Sequence, residues 1–552
     1  MKRLVSFAVL LAALLAAVFF AACSKKSDAG SAQKVTPAPG PLGKYNPPLT
    51  VQFARSTSAS DRYDEGYSLE HNEWTIENEQ QLGIITKYLW TADASQYNQK
   101  MAASIATGDL ADIFSVNQEQ FDMLKRNNLI WDLTDVYNEY ASDIMKNAMD
   151  SDPKQTNLAK VNGRLMAIPQ LGHTLDTQVL WVRQDWIEKL GLPEPKTLAD
   201  VKRIAEAFVT RDPDGNGVND TMGLVFQSEP FSNLTIGAFL AAYHGYHTGW
   251  LKDSSGNLVY AGIQPEVKQG LAAMNEWYNQ GLITKEWVNL SWDECVSIIL
   301  SGRAGIFMGA FWFPTNLPQF EQMQPGGKFY AYPNVSADSQ PAKIMTDIGL
   351  SYYVVNKKFQ NPEALIKLAN YMYEFYYGTS NIRDQRPYLF NSVSQGYENW
   401  IHNTINNVWL PNKNFAYHLT IREVIETGNT SLLNSESRGY YDWIMKYRNG
   451  DNSEGWPWVY NFVFGPDKGA SETAIETYVN NDLILLNEYI GSPTETMITR
   501  QSSLNDLRNE VYTKIIIGEL PVSAFDTFVA DWKRQGGDDI TKEVNAWYKE
   551  NR

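Results

Sequence analysis

The chain has 552 residues, well beyond a usual domain of about 100–200, so two or more lobes are expected. With 43% hydrophobic and 20% charged residues, it is neither a disordered chain nor a multi-span membrane protein. The formal charge of −16 without a basic stripe argues against a nucleic-acid partner, and two cysteines are too few for a disulfide scaffold.

Lys2 and Arg3 open the chain, residues 4–20 are apolar except for Ser6, and Ala21 and Ala22 precede Cys23. A charged start, an apolar core and a small-residue cleavage point form a signal peptide, here residues 1–22. Cleavage before a cysteine resembles the bacterial lipobox, in which that thiol carries the lipid, with Phe20 standing where Leu is usual. The alternative is an uncleaved membrane anchor. After Cys23, the Ser-, Gly-, Ala-, Pro- and Lys-containing stretch to residue 47 lacks apolar periodicity and reads as a flexible tether.

Leu49, Val51 and Phe53 alternate with Thr50 and Gln52, the period of a strand. A helical stretch with Trp74 and Leu82 follows, then a second strand over residues 84–90. A helix carrying Met101 and Ile105 stops at Gly108, and residues 112–116 suit a buried third strand. This alternation predicts an α/β fold with mostly parallel sheets. Further along, Thr197 caps a helix with Leu198, Val201, Ala205 and Phe208 on its apolar face. Pro265 starts another, which Gly281 stops, and Asn361-Pro362-Glu363 opens a third that ends before Gly378. From about residue 470 the pattern is mainly helical. One helix ends at Ile517-Gly518, Pro521 begins the next, and the last spans residues 538–548.

No nucleophile elbow, P-loop, dinucleotide fingerprint or H-E-x-x-H motif occurs. His244 and His247 lie three apart but lack a third ligand, so zinc is disfavoured. Cys295, among Val296, Ile298 and Ile299, reads as a buried structural thiol. The strongest local chemistry is at 212–220. Asp212, Asp214 and Asn216 supply oxygens at loop positions 1, 3 and 5, Gly217 makes the sharp turn, Val218 offers its carbonyl, and Asp220 fills position 9. Short oxygen side chains at this spacing wrap a calcium ion, although Gly223 stands where the usual bidentate Glu would be. Structural calcium is therefore expected, the alternative being a metal-free Asx-rich turn.

Several stretches then carry a resemblance. Asn162-Gly163-Arg164-Leu165-Met166-Ala167-Ile168-Pro169 resembles the N-G-K-x-Y-A-I-P segment of solute-binding proteins. Arg183-Gln184-Asp185-Trp186-Ile187-Glu188-Lys189-Leu190-Gly191-Leu192-Pro193, running to Thr197, resembles their R-x-D-W-L-x-K-L-G-L-P block. Thr107-Gly108-Asp109-Leu110-Ala111-Asp112-Ile113 is similar to S-G-D-x-P-D-I. Gly302-Arg303-Ala304-Gly305-Ile306-Phe307-Met308-Gly309-Ala310-Phe311-Trp312 is similar to G-x-x-A-M-x-x-x-G-x-W. In this order, behind a lipobox, they resemble the family 1 extracellular solute-binding lipoproteins of ABC carbohydrate importers. The calcium-type loop is similar to one in the alginate-oligosaccharide-binding members.

The resemblance implies the two-lobed periplasmic-binding-protein type II fold. Each lobe would hold a mostly parallel sheet flanked by helices, joined by crossing hinge segments, with a helical C-terminal extension. The expected division is 48–170 for the first part of the N-lobe, 171–343 for the first part of the C-lobe, 344–400 for the return to the N-lobe, and 401–552 mainly in the C-lobe. It also implies a monomer anchored to the cell membrane by lipid and facing outside the cytoplasm, with permease and ATPase on other chains. Ligand sites in open α/β lobes lie beyond the strands' carboxyl ends, which singles out Arg55, Asn117, Glu119 and Gln120. The resemblance to maltose-binding members gives Trp312 and Phe231 sugar-stacking roles and Glu229 a hydroxyl contact. Trp456 and Trp458 join them on composition alone. The expected function is capture of an oligosaccharide and its delivery by lobe closure. The alternatives are a surface carbohydrate-active enzyme, a binder of a non-sugar solute such as a peptide, and a sensor or adhesin.

Overall fold

The computed structural model describes residues 35–58, 61–172, 174–228, 234, 236–346, 351–378, 382–390 and 399–550. The leader and Cys23 lie outside the described residues.

In the first lobe, β1 (Leu49–Thr57) buries Leu49, Val51 and Phe53 and exposes Thr50 and Gln52. The helix Glu73–Leu82 begins at Asn72, whose side chain accepts from the Trp74 and Thr75 amides, and ends at Gly83 with φ 67°. β2 (Ile84–Asp93), the helix Ala94–Thr107 and β3 (Ile113–Asn117) follow, and both β2 and β3 run parallel to β1. The short β4 (Ile168–Pro169) closes this first passage.

The second lobe is built on β5 (Gln178–Arg183), β6 (Met222–Leu224), β7 (Ala304–Ala310) and β8 (Phe329–Tyr332). Between β5 and β6, the helix Leu198–Thr210 starts in a capping box of Thr197 and Asp200. Its buried face is Leu198, Val201, Ile204, Ala205, Ala207 and Phe208. Gly305 in β7 packs so tightly there that a Cβ would lie 2.3 Å from the Phe208 ring. After β9 (Ile344–Thr346), the chain returns to the first sheet as β10 (Ser351–Val355). It ends in the second lobe, where β11 (Ile484–Leu486) pairs with β9 and three helices, Glu495–Ile516, Ala524–Trp532 and Asp538–Glu550, cover the core. The second of these begins three residues after Pro521, which sits in the preceding turn.

Strand order is β2-β1-β3-β10-β4 in the first sheet and β8-β5-β7-β6 in the second. The fold is α/β as expected, but both sheets are mixed rather than mostly parallel. β10 is antiparallel to β3 and β4, and β5 is antiparallel to β7 and β8. The reason is geometric. β1, β3 and β7 run toward the crossing segments, whereas β10 and β5 start from them and must run away.

Each lobe has its own core. One gathers Val51, Phe53, Ile113, Tyr352, Leu365 and Met372; the other gathers Trp181, Trp186, Phe208, Phe307, Trp458 and Trp532. The chain passes between them after Leu171, after Thr346 and after Val408. The last two changes fall a few residues beyond the expected 343 and 400. Cys295 is fully buried in the second core.

The expected tether is corrected over its second half. From residue 35 to 47 the chain is fastened to the first lobe. Asn361 exchanges hydrogen bonds with the Val35 backbone, and Lys367 Nζ and Asn370 Nδ2 donate to the Gly40 and Pro41 carbonyls at 2.7 and 3.0 Å. Tyr45 is 0% exposed and donates to Glu363 Oε1 at 3.0 Å. The composition misleads because, apart from Tyr45, these contacts are made by the segment's backbone, which any composition supplies.

Candidate functional site

Two hollows open at the ends of the two sheets, on either side of the crossing segments. The hollow on the first lobe is about 470 Å³ and lies past the carboxyl ends of β1 and β3. Its walls include Arg55, Ser115, Asn117, Tyr97, Tyr353 and Asn406. Gln170 and Ser351, at the margins of two crossings, also reach it. The hollow on the second lobe is about 610 Å³ and lies where β5 begins and β7 ends. Asp176, Thr177, Gln178 and Thr346 bring the same crossings to it from the other side, and Trp312, Trp250, Tyr489, Asn487 and Arg508 wall it.

Arg55 is in the first hollow, clamped rather than free. Its Nη1 donates to the His402 carbonyl at 2.8 Å and its Nη2 to the Ile401 carbonyl at 2.6 Å, while Nε is buried without a partner. It thereby pins the segment at 401–402, ahead of the last crossing, to the end of β1. Asn117 lines the hollow and caps the helix Gln118–Arg126, accepting from the Gln120 amide at 3.0 Å. Gln120 is corrected to a structural residue. It is 3% exposed, accepts from the Asn117 amide and donates to the Asn98 carbonyl. Glu119, one residue before it, is half-buried in the helix's first turn and does not wall either hollow; an acid there favours the helix dipole.

Trp312 follows β7 and walls the second hollow, half-buried, with Trp292 beside it at 6.2 Å between rings. Trp458 is corrected to a core residue, 1% exposed, with its indole donating to the Gly327 carbonyl at 3.3 Å. Trp456 is half-buried against Tyr460 at 6.2 Å and stands outside both hollows. Both lie in the helix Trp456–Phe464, where residues two apart point about 200° from each other, so these two tryptophans cannot share a role. Glu229 and Phe231 lie outside the described residues.

The hollow also holds residues the sequence did not mark. Arg508 is 5% exposed, donates to Tyr260 Oη at 2.7 Å and places Nε and Nη2 on Asn509 Oδ1 at 3.1 and 3.0 Å. The Asn487 side chain accepts from the Trp250 amide at 2.9 Å, fixing the short strand Trp250–Lys252 beside the hollow. Burial pushes the Asp176 carboxyl up to about 7, against the pull of Lys413 and the Asn414 amide. Glu472, 1% exposed with both carboxyl oxygens unpartnered, is raised well above the carboxylate range by burial and then by Asp176. His247 is lowered to about 3 by burial and then by Arg508, so it is neutral. His244 does not share a helix face with it. The helix Ile236–Ala241 ends first, and His244 meets Asp338 at 3.2 Å. No local pattern announces this wall, because it draws on segments from residue 176 to residue 508.

In the 212–220 loop, Asp212 Oδ1 and Oδ2 accept from the Gly215 and Gly217 amides at 3.1 and 3.0 Å. The Asn216 amide nitrogen donates to Asp214 Oδ2 at 2.8 Å and Asp220 Oδ1 at 3.2 Å, so the three acids gather around Asn216. The shared contact with Asp214 holds Asp212 low, while Asp214 is raised by partial burial and by Asp212. Among the described residues, no three His, Cys, Asp or Glu side chains form a metal-holding group by themselves. A cation here would need the Asn216 and Val218 oxygens as well, and those are hard donors suited to calcium.

Two lobes with separate cores, joined by crossing segments that each hollow adjoins, define a two-lobed ligand-binding protein. Residues 86–374 match the family model of the bacterial extracellular solute-binding protein, and the chain belongs to that family. It is similar to Lipoprotein LipO of Bacillus subtilis, 21% identical over 500 residues, covering 86% of this chain and 88% of that one. It is also similar to the fructooligosaccharide ABC transporter substrate-binding protein FusA of Streptococcus pneumoniae, 27% identical, covering 54% of this chain and 56% of that one. Among solved structures it resembles the alginate-binding protein AlgQ2 without calcium ion. That match has a TM-score of 0.60 at 14% identity, covers 94% of this chain and 99% of that one, and is a likeness of fold. Among the described residues, no helix is long and apolar enough to cross a membrane.

Proposed function

We propose that this protein captures an oligosaccharide between its lobes and delivers it to the permease of an ABC importer. The observation that carries this reading is the pairing of two aromatic- and amide-walled hollows across the crossing segments. Aromatic faces suit the apolar faces of sugar rings, and amides suit their hydroxyls. The printed function of FusA supports the same reading. A ligand touching both hollows would favour the closed state, since only that state completes its contacts. The chain works by capture and release, without a catalytic step. It acts as a monomer on the outer side of the membrane, held by acyl chains on Cys23; the lipoprotein relative supports that anchor.

The test is a thermal-shift screen of the leaderless chain without its lipidated cysteine, from residue 24, against an oligosaccharide panel. A bound sugar raises the melting temperature by mass action. The hit should be recovered intact and should shrink the radius of gyration in solution scattering. Cleavage products would turn the reading toward an enzyme, and a shift with peptides alone would replace the sugar.

The 212–220 loop is proposed as a calcium clamp, with Asp212, Asp214, Asn216 and Asp220 side chains and the Val218 carbonyl as donors. It would tie the end of the helix Leu198–Thr210 to β6. Without a Glu at loop position 12, binding is expected only at about 10⁻⁴–10⁻³ M, the range of extracellular modules. Millimolar calcium should raise the melting temperature, and Asp214→Asn should abolish the rise. Calorimetry without calcium-dependent heat would remove the proposal.

A further inference from the structure

Resting on the oligosaccharide reading, we infer that the cleft selects an uncharged sugar chain and rejects polyuronates. A uronate carries one carboxylate per ring, and each one that leaves water must be met by a cation, best by the bidentate fork of an arginine. Among the described residues, no lysine walls either hollow, and the arginines are Arg55 and Arg508. Neither presents an open fork. The Nη1 and Nη2 face of Arg55 is closed by the carbonyls of His402 and Ile401. The Nε and Nη2 face of Arg508 is closed by Asn509, and its Nη1 by Tyr260 and the His247 carbonyl at 3.3 Å.

Each hollow also carries an acid of its own. Asp61 walls the first, and its carboxylate accepts from the Ser58 amide at 3.0 Å. Asp176 walls the second, with the unpartnered carboxyl of Glu472 behind it. A ligand carboxylate would therefore meet like charge at Asp61 in the first hollow and, at Asp176 in the second, a carboxyl pushed up to about 7 that offers it no cation. What remains for contact is neutral: amides such as Asn98, Asn406, Asn487 and Asn505, and aromatic rings such as Trp312 and Tyr489. Such walls match hydroxyls and ring faces. They also set this cleft apart, in expectation, from a binder of alginate.

The test is isothermal titration of the same leaderless chain, with calcium, against two sets of matched length. One set is neutral gluco-, manno-, xylo- and fructo-oligosaccharides; the other is alginate and polygalacturonate oligomers. A neutral chain should bind, with an affinity that hardly changes with salt. The uronates should bind about a hundredfold more weakly, since like-charge juxtaposition costs several kcal/mol. A uronate that binds more tightly than every neutral chain, with affinity falling steeply as salt rises, would overturn the inference while leaving the oligosaccharide reading intact. If neither set binds and a peptide or another solute does, the oligosaccharide reading fails and the inference falls with it.

Discussion

At the scale of single residues, burial separates side chains that look alike in the sequence. Trp312 and Trp458 are both tryptophans in aromatic-rich stretches, yet one walls a hollow and the other fills a core. Trp312→Ala should weaken the binding of the cognate sugar about tenfold or more, the value of one well-placed aromatic face of about 1.4 kcal/mol. Its urea midpoint should move far less than that of Trp458→Ala, which leaves a cavity and strands the Gly327 carbonyl at a cost of about 3–5 kcal/mol. Titration calorimetry and urea unfolding separate the two, and unchanged affinity in Trp312→Ala would dismiss it from the site. Arg55 shows the same lesson in another form. Its position near the carboxyl end of β1 places it in the cleft, but two backbone carbonyls from beyond residue 400 take its guanidinium, making it a brace.

At the scale of elements, local signals held where the physics is local. The capping box at Thr197, the left-handed stop at Gly108 and the start at Pro362 each depend on a few neighbouring residues. The segment 35–47 behaves differently. It has no helix or strand of its own length, yet Tyr45 N donates to the Leu82 carbonyl and its ring is wholly buried. The fit is close enough that a Cβ on Gly83 would sit 2.3 Å from the Tyr45 carbonyl oxygen. Tyr45→Ala should therefore destabilise the first lobe by about 3–5 kcal/mol, as other large buried truncations do. Tyr45→Phe should cost about 1–3 kcal/mol, because the buried Glu363 loses a donor. Hydrogen exchange would locate both losses in the first-lobe amides. Wild-type protection in Tyr45→Ala would return the segment to a tether.

At the scale of the whole molecule, function rests on the crossings. They join two cores that are otherwise separate, with Tyr377 packed against both. Because the hollows adjoin the same crossings, a ligand long enough to fill both must draw the lobes together. This is why the radius of gyration, rather than affinity alone, distinguishes capture by closure from binding to one lobe. The direction of the strands follows from the same plan. A strand that leaves a crossing runs away from the cleft, so β5 and β10 oppose the strands that end there.

The sequence by itself determined the α/β alternation, the caps and stops of its helices, the family resemblance and the strand ends where a site should lie. Those features are local, or are preserved as short motifs, and can be read without knowing what lies opposite. Only the tertiary structure decided that Arg55 is braced by the Ile401 and His402 carbonyls, that Trp458 is core, that residues 35–47 belong to the first lobe and that Arg508 and Asn487 wall the cleft. Each of these depends on a partner far along the chain: Glu363 lies 318 residues from Tyr45, and Asn487 lies 237 from Trp250. Burial is set by what packs against a residue, and no periodicity in its own segment carries that information.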